Sequence, residues 1–174
     1  MSYKIYVSGN YGTHLAPLIA AVNKTHGDIL ELGIGIFSTP YLHYQSLLSK
    51  RHLISYDNDR KWVKRYADHP FYAHMYYGPY HELIYVANWD EAKIEKPWDV
   101  ALIDHSPSER RVIEIKRLAN LAKYIIVHDS NPKKDKEYHY SEIYPLFKYR
   151  TDWDKDANPA TVLSNFIDLS DFWK

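Results

Sequence analysis

The chain has no cysteine among its 174 residues. That one absence excludes disulfides, zinc–thiolate centres and thiol nucleophiles together. Nor is there an excess of either charge: 22 Lys and Arg balance 22 Asp and Glu, with the signs mixed along the sequence. No basic stripe marks a nucleic-acid or membrane binder. Long apolar runs are missing as well. None approaches the ~18 residues of a membrane span, and the opening MSYKIYVSGN lacks the apolar core of a signal peptide. No repeat, low-complexity tract or linker divides the chain. What remains is ordinary globular composition, 45% hydrophobic and 25% charged. The expectation is a cytoplasmic protein folded as a single domain over residues 1–174, with no nucleic-acid or membrane partner. The unusual count is 17 Tyr, which points to partly exposed aromatic surface without naming a ligand.

Short apolar runs rich in β-branched or aromatic residues recur: DILEL (28–32), HLISYD (52–57), ELIYVA (82–87), DVALID (99–104) and YIIVHD (124–129). Near-continuous apolar strands of this kind belong to a parallel sheet covered on both faces. Several intervals read as helices. THLAPLIAAVNKT (13–25) carries a helical stripe with Pro17 in its first turn. PYLHYQSLLSK (40–50) starts with proline just after Ser38 and Thr39, a cap followed by proline at the first helical position. Trp62, Val63 and Tyr66 share one face of DRKWVKRYA (59–67). In SPSERRVIEIKRLANLA (106–122), Ser106 and Glu109 stand at capping-box spacing. Strands alternating with helices predict a doubly wound α/β fold. The tail, 148–169, reads instead as two strands joined by an Asp-Asn-Pro turn, an antiparallel hairpin at a sheet edge.

One stretch carries a functional signal. ILELGIGIFSTPYL (29–42) ends a buried strand on Glu31 and turns through Gly33 and Gly35 into a helix. Ligands of open α/β sheets sit beyond the carboxyl ends of the strands, where the strand order reverses. A glycine turn leading into a helix lets backbone N–H groups approach such a ligand closely. Dinucleotides, through G-x-G-x-x-G, and S-adenosylmethionine both use it. Position 38 is Ser, so the third glycine of the dinucleotide pattern is missing.

ELGIGIFST resembles the first motif of the class I S-adenosylmethionine-dependent methyltransferases. The resemblance runs through ISYDND, VANWDEA and DVALIDHSP in order, from about residue 27 to the final hairpin. It implies a seven-stranded, mostly parallel α/β sheet with helices on both faces and a C-terminal antiparallel hairpin. It implies S-adenosylmethionine as cofactor, with Glu31 near the methionine end and Gly33, Gly35, Ser38 and Thr39 forming the turn. Asp57 would accept the two ribose hydroxyls, a task its two oxygens suit, with Asn58 beside it. Trp89 would stack on adenine and Asn88 or Asp90 would bond its edge, although Trp89 reads equally well as a core aromatic. Asp104 would stand at the catalytic lip.

Methyl transfer is an in-line displacement from a sulfonium, so the protein must align the nucleophile and remove its proton. The residues suited to this follow the fourth and fifth strands: Asp104 and His105, then His128 and Asp129. Either histidine could act as general base for a hydroxyl. IDHSPSER and VHDSN are also similar to the metal-dependent catechol-type O-methyltransferases. That likeness implies Mg²⁺ held by Asp104, Asp129 and Asn131, although Ser130 separates the last two. The function expected is O-methylation of a small molecule or saccharide. The alternatives are a non-catalytic binding or regulatory module with the same cofactor pocket, and an NAD-type oxidoreductase. Residues 1–26 would supply a short helical lid, with 8–15, 71–82 and 133–144 as the pieces able to cover the site, or a neighbouring subunit of a homo-oligomer could close it.

Overall fold

The computed structural model describes residues 11–68, 79–155 and 158–174. Seven strands form one sheet: β1 (Ile29–Leu32), β2 (Leu53–Asp57), β3 (His81–Tyr85), β4 (Trp98–Ile103), β5 (Ala122–Val127), β6 (Tyr149–Trp153) and β7 (Ala160–Ser164). Their order is β3-β2-β1-β4-β5-β7-β6. The first five run parallel, while β7 pairs antiparallel with β5 and with β6. The doubly wound sheet with a C-terminal hairpin, expected from alternation of pattern, is the fold found. The hairpin lies at one sheet edge as expected, with β7 inserted antiparallel between β5 and β6 and β6 forming the edge.

Both faces of the sheet are apolar because side chains alternate along each strand. In β4, Val100 and Leu102 point into one core with Leu18, Ala21 and Val22, while Ala101 and Ile103 point into the other with Val112, Ile115 and Leu118. Helix α1 (Leu15–Asn23) covers the first face, together with α2 (Ser38–Ser49); α4 (Arg111–Leu118) covers the second. Helix α1 is part of the sheet's covering layer, and Tyr11 and His14 before it reach the pocket described below. Helix α3 (Arg60–Ala67) is capped by Asp59, whose carboxylate accepts the Lys61 N–H at 2.8 Å. A short α5 (Asp135–Tyr138) follows β5.

One local expectation fails. The capping box at Ser106 and Glu109 does not form: 108–110 is a 3₁₀ turn and α4 starts only at Arg111, with no side-chain cap. Ser106 serves elsewhere, its carbonyl accepting the Trp89 indole N–H at 2.7 Å. Most of the Tyr-rich candidate lid at 71–82, the N-terminal residues 1–10, and part of the turn between β6 and β7 lie outside the described residues.

Candidate active site

A pocket of about 560 Å³ opens beyond the carboxyl ends of β1, β2, β4 and β5. Its wall is the glycine turn. Gly33 has φ of 99°, a backbone shape that L side chains rarely adopt. A Cβ there would fall 2.5 Å from the Asp104 carbonyl oxygen, so the reason for glycine is the approach of β1's end to β4's end. Beside it, the Asp57 carboxylate accepts the Ile34 N–H at 2.8 Å and the Asp59 N–H at 2.7 Å, and lines the pocket with Asn58. Each of its oxygens keeps a second lone pair for a ligand. Burial raises the Asp57 pKa, against the pull of those two backbone donors.

Glu31, Ser38 and Thr39 lie beneath this turn and do not line the pocket; all three are buried. The Glu31 carboxyl accepts the Thr39 hydroxyl at 2.9 Å and the Ser55 hydroxyl at 2.5 Å. Thr39 in turn accepts the Gly35 N–H at 2.9 Å. Glu31 therefore braces the turn from below instead of meeting a ligand. Burial pushes its pKa to about 7, although hydroxyl donors from Ser38, Ser55 and Thr39 favour the ionised form. Beyond Ser55, His81 Nε2 stands 2.9 Å from the Ser55 hydroxyl and His81 Nδ1 stands 2.8 Å from His43 Nδ1.

The floor of the pocket is polar. His128 Nδ1 lies 2.9 Å from Asp104 Oδ1, and its Nε2 lies 2.9 Å from the Thr13 hydroxyl. With Asp104 ionised, the network assigns the proton to Nδ1 and leaves Nε2 to accept from Thr13. Arg111, at the first position of α4, forms an ion pair with Asp104 Oδ1 at 3.0 Å and lies 3.6 Å from Asp129 Oδ2. Its Nε also fixes the His105 carbonyl at 2.7 Å. Burial pushes Asp104 up, but the His128 hydrogen bond and the Arg111 charge outweigh it and hold the carboxyl below its ordinary value. Asp129 has φ of 57°, a left-handed conformation that turns its carboxylate toward Arg111 and the Tyr138 hydroxyl at 3.2 Å.

His14 completes the floor. Its Nδ1 stands 3.8 Å from Asp104 Oδ2, its ring meets the His128 ring edge-on at 4.7 Å, and only 2% of it is exposed. Among the described residues, neither ring nitrogen has a hydrogen-bond partner. Burial lowers its pKa to about 4, against the attraction of Asp104.

The structure thus brings together Asp104, His128 and Asp129, and separates them from other sequence candidates. His105 touches the pocket wall, but its Nε2 is 3.0 Å from Glu114, with both side chains buried. Burial lowers the His105 pKa, against its partner, and the ring serves as a core hydrogen-bond partner of Glu114 beside Trp89. Trp89 is 3% exposed and sits in the core behind Ser106, so it is not available to stack on a ligand in the pocket. Asn88 caps the 3₁₀ turn at 89–91 through the Asp90 N–H. Asn131 likewise accepts the Lys133 N–H at 3.0 Å and caps its own 3₁₀ turn. The oxygen set expected for Mg²⁺ therefore does not assemble: Asn131 is turned away, and the Arg111 guanidinium spans the two acids where the ion would lie.

Arg111, His14 and Thr13 were not read from the sequence as site residues, and neither were Phe37 and Trp62, the large aromatic rings lining the pocket beside Tyr11. Arg111 hides in an ordinary-looking SERR helix start. His14 precedes a helix whose role was read as a lid.

No family model matches the chain, and no curated protein matches it. Solved structures do. The chain is similar to the O-methyltransferase from Bacillus cereus in complex with S-adenosylhomocysteine, at 14% identity and a TM-score of 0.63 over 94% of this chain and 83% of that one. It is similar to the O-methyltransferase TomG from Streptomyces achromogenes, solved with S-adenosylmethionine, at 16% identity and a TM-score of 0.58 over 89% and 79%. The METTL16 methyltransferase domain aligns too, at 10% identity and a TM-score of 0.59 over 88% and 82%. With this strand order, this glycine turn and these likenesses, the chain has the class I fold of the S-adenosylmethionine-dependent methyltransferases.

Proposed function

We propose that the protein is an S-adenosylmethionine-dependent methyltransferase acting on an oxygen of a small molecule or saccharide. The observation that carries this reading is the joint lining of one pocket by the Gly33 turn, Asp57 and the Asp104–His128 pair. Asp57 would accept from the ribose hydroxyls, and Asn58 would stand beside them. Phe37 and Trp62, rather than Trp89, would supply apolar contact for the purine. Asp104 and Asp129 carry two negative charges against the single charge of Arg111, a field that favours a sulfonium. Bound S-adenosylmethionine would supply the methyl group, with its sulfur as the leaving atom that keeps the electron pair, and the acceptor oxygen that takes the methyl would give up its proton at the floor. His14, His128 and Asp104 are the groups there that can lower the cost of that proton's departure.

The aromatic-rich pocket supports a flat ring or a sugar face equally. An NAD-type reading loses its footing at Ser38, buried in the first turn of α2 where a third glycine would be needed. The test has two steps. Calorimetry should find one site for S-adenosylhomocysteine, and no binding would overturn the proposal. Labelled S-adenosylmethionine should then be incubated with catechols, phenols and methyl glycosides, and transfer to an oxygen identified by mass.

A further inference from the structure

We propose that His14, Asp104 and His128 form a site for one divalent transition-metal ion of the zinc, cobalt or nickel class, with an open coordination position facing the pocket. Each offers a ligand atom, and the three atoms lie within 4.8 Å of one another. Around a tetrahedral ion with bonds of ~2.0–2.2 Å, ligand atoms stand about 3.4 Å apart. Closing the site asks for up to about 1.4 Å of contraction, from 4.8 Å to about 3.4 Å. The His14 ring is able to supply it, since among the described residues neither of its nitrogens is held by a hydrogen bond.

Two independent features point to a ligand here. The first is His14 itself: a buried polar ring with both nitrogens unsatisfied is costly, and a metal bond would relieve one of them. The second is the surrounding shell, built as metal shells are. If His128 binds through Nδ1, its proton moves to Nε2, where the Thr13 hydroxyl, 2.9 Å away, becomes the acceptor. A metal-bound histidine usually donates its other nitrogen in this way. Asp104 presents two oxygens to two different tasks. Oδ1 is paired with Arg111 at 3.0 Å and with His128 Nδ1 at 2.9 Å, a contact that metal binding would exchange, while Oδ2 faces His14 at 3.8 Å. The ion belongs on the Oδ2 side, away from the guanidinium that disqualifies the all-oxygen site between Asp104 and Asp129. Two imidazoles and one carboxylate suit zinc, cobalt and nickel, whereas magnesium prefers an oxygen set. Pocket water, or an acceptor hydroxyl, would take the open position and lose its proton more easily there.

The site deepens the proposed reaction but can be tested apart from it. Chelator-treated, tag-free full-length protein should be titrated with Co²⁺ and with Zn²⁺ by calorimetry and visible absorption, with S-adenosylhomocysteine binding measured on the same sample. One ion per chain is expected, and Mg²⁺ should not compete. Zinc X-ray absorption on the wild-type complex should count two imidazoles, a reading that needs no variant to fold. His14→Gln and His128→Gln should abolish the binding, Thr13→Val should weaken it about 10–100-fold, and His139→Gln, on the exposed surface, should leave it unchanged. No metal uptake, no imidazole in the zinc shell, or full affinity in His14→Gln would overturn the site. If S-adenosylhomocysteine still binds, only the metal site fails; if metal binds and S-adenosylhomocysteine does not, only the methyltransferase reading fails.

Discussion

Glu31 offers the sharpest test of how the glycine turn is supported, because it is a carboxyl with no exposed surface and, among the described residues, only hydroxyl hydrogen-bond partners. Burial raises its pKa from 4.5 to about 7. A shift of that size, at 1.36 kcal/mol for each pH unit, corresponds to about 3 kcal/mol between the two protonation states. The sign follows from which state holds the proton longer. The folded chain keeps it to higher pH than the unfolded chain does, so the favourable contribution is complete below pH 4.5 and is lost as pH rises toward about 7. Glu31→Gln fixes the neutral form: its amide can accept one hydroxyl hydrogen bond and donate the other, if Thr39 or Ser55 rotates. The assay is urea unfolding followed by tryptophan fluorescence from pH 4.5 to 8.5, for wild type and variant. The variant should gain on the wild type progressively from pH 4.5 to 7, by about 3 kcal/mol in total, with a constant difference above that. Other titrating groups, such as His81 and His43, whose pKa values burial lowers, act on both proteins and cancel in the difference. Parallel pH curves for the two proteins would refute a buried, proton-holding Glu31.

Asp57→Ala should weaken S-adenosylhomocysteine binding by about 1–3 kcal/mol, the loss of hydrogen bonds to a charged acceptor; unchanged affinity in calorimetry would remove Asp57 from the cofactor site. Gly33→Ala should cost more than the ~1–3 kcal/mol of a left-handed backbone strain, because its Cβ also meets the Asp104 carbonyl at 2.5 Å. A melting temperature within a degree of wild type would show that the turn relaxes. Trp89→Phe should destabilise by about 1 kcal/mol, through the lost hydrogen bond to Ser106, and leave S-adenosylhomocysteine affinity untouched. A large loss of affinity with intact stability would return Trp89 to the binding site.

The sheet was legible because its signal is redundant. Five apolar runs separated by helical stripes leave few ways to bury both faces of each strand, and β4 shows the alternation that results in two cores. The site was legible only at the strand ends. Asp57, Asp104, His128 and Asp129 directly follow or end apolar runs, so topology alone carries them to one rim. Trp89, Asn88 and Asn131 also follow strands, yet their side chains turn inward or cap 3₁₀ turns, a choice made by local hydrogen bonds that residue spacing does not encode. Arg111 and His14 were missed for the opposite reason. They come from helix starts, and only the packing of α1 and α4 against opposite faces of the sheet brings both to Asp104.

The strand order also sets the order in which the site can be completed during synthesis. The floor after β5 is tied down by β7: the Ser130 N–H donates to the Pro159 carbonyl at 2.9 Å, and the Ser130 hydroxyl lies 2.9 Å from the Thr161 hydroxyl, whose own hydrogen goes to Asp152. Of the seven strands, β7 is the last to leave the ribosome, after β6, its partner at the sheet edge. Until it slots between β5 and β6, the nascent chain holds the glycine turn and Asp57 while β5 is an open edge with nothing fixing Ser130 behind Asp129. A ribosome-stalled chain ending before residue 158 should therefore carry the cofactor turn without a finished floor, and cofactor capture and floor assembly become separable events in the life of the molecule.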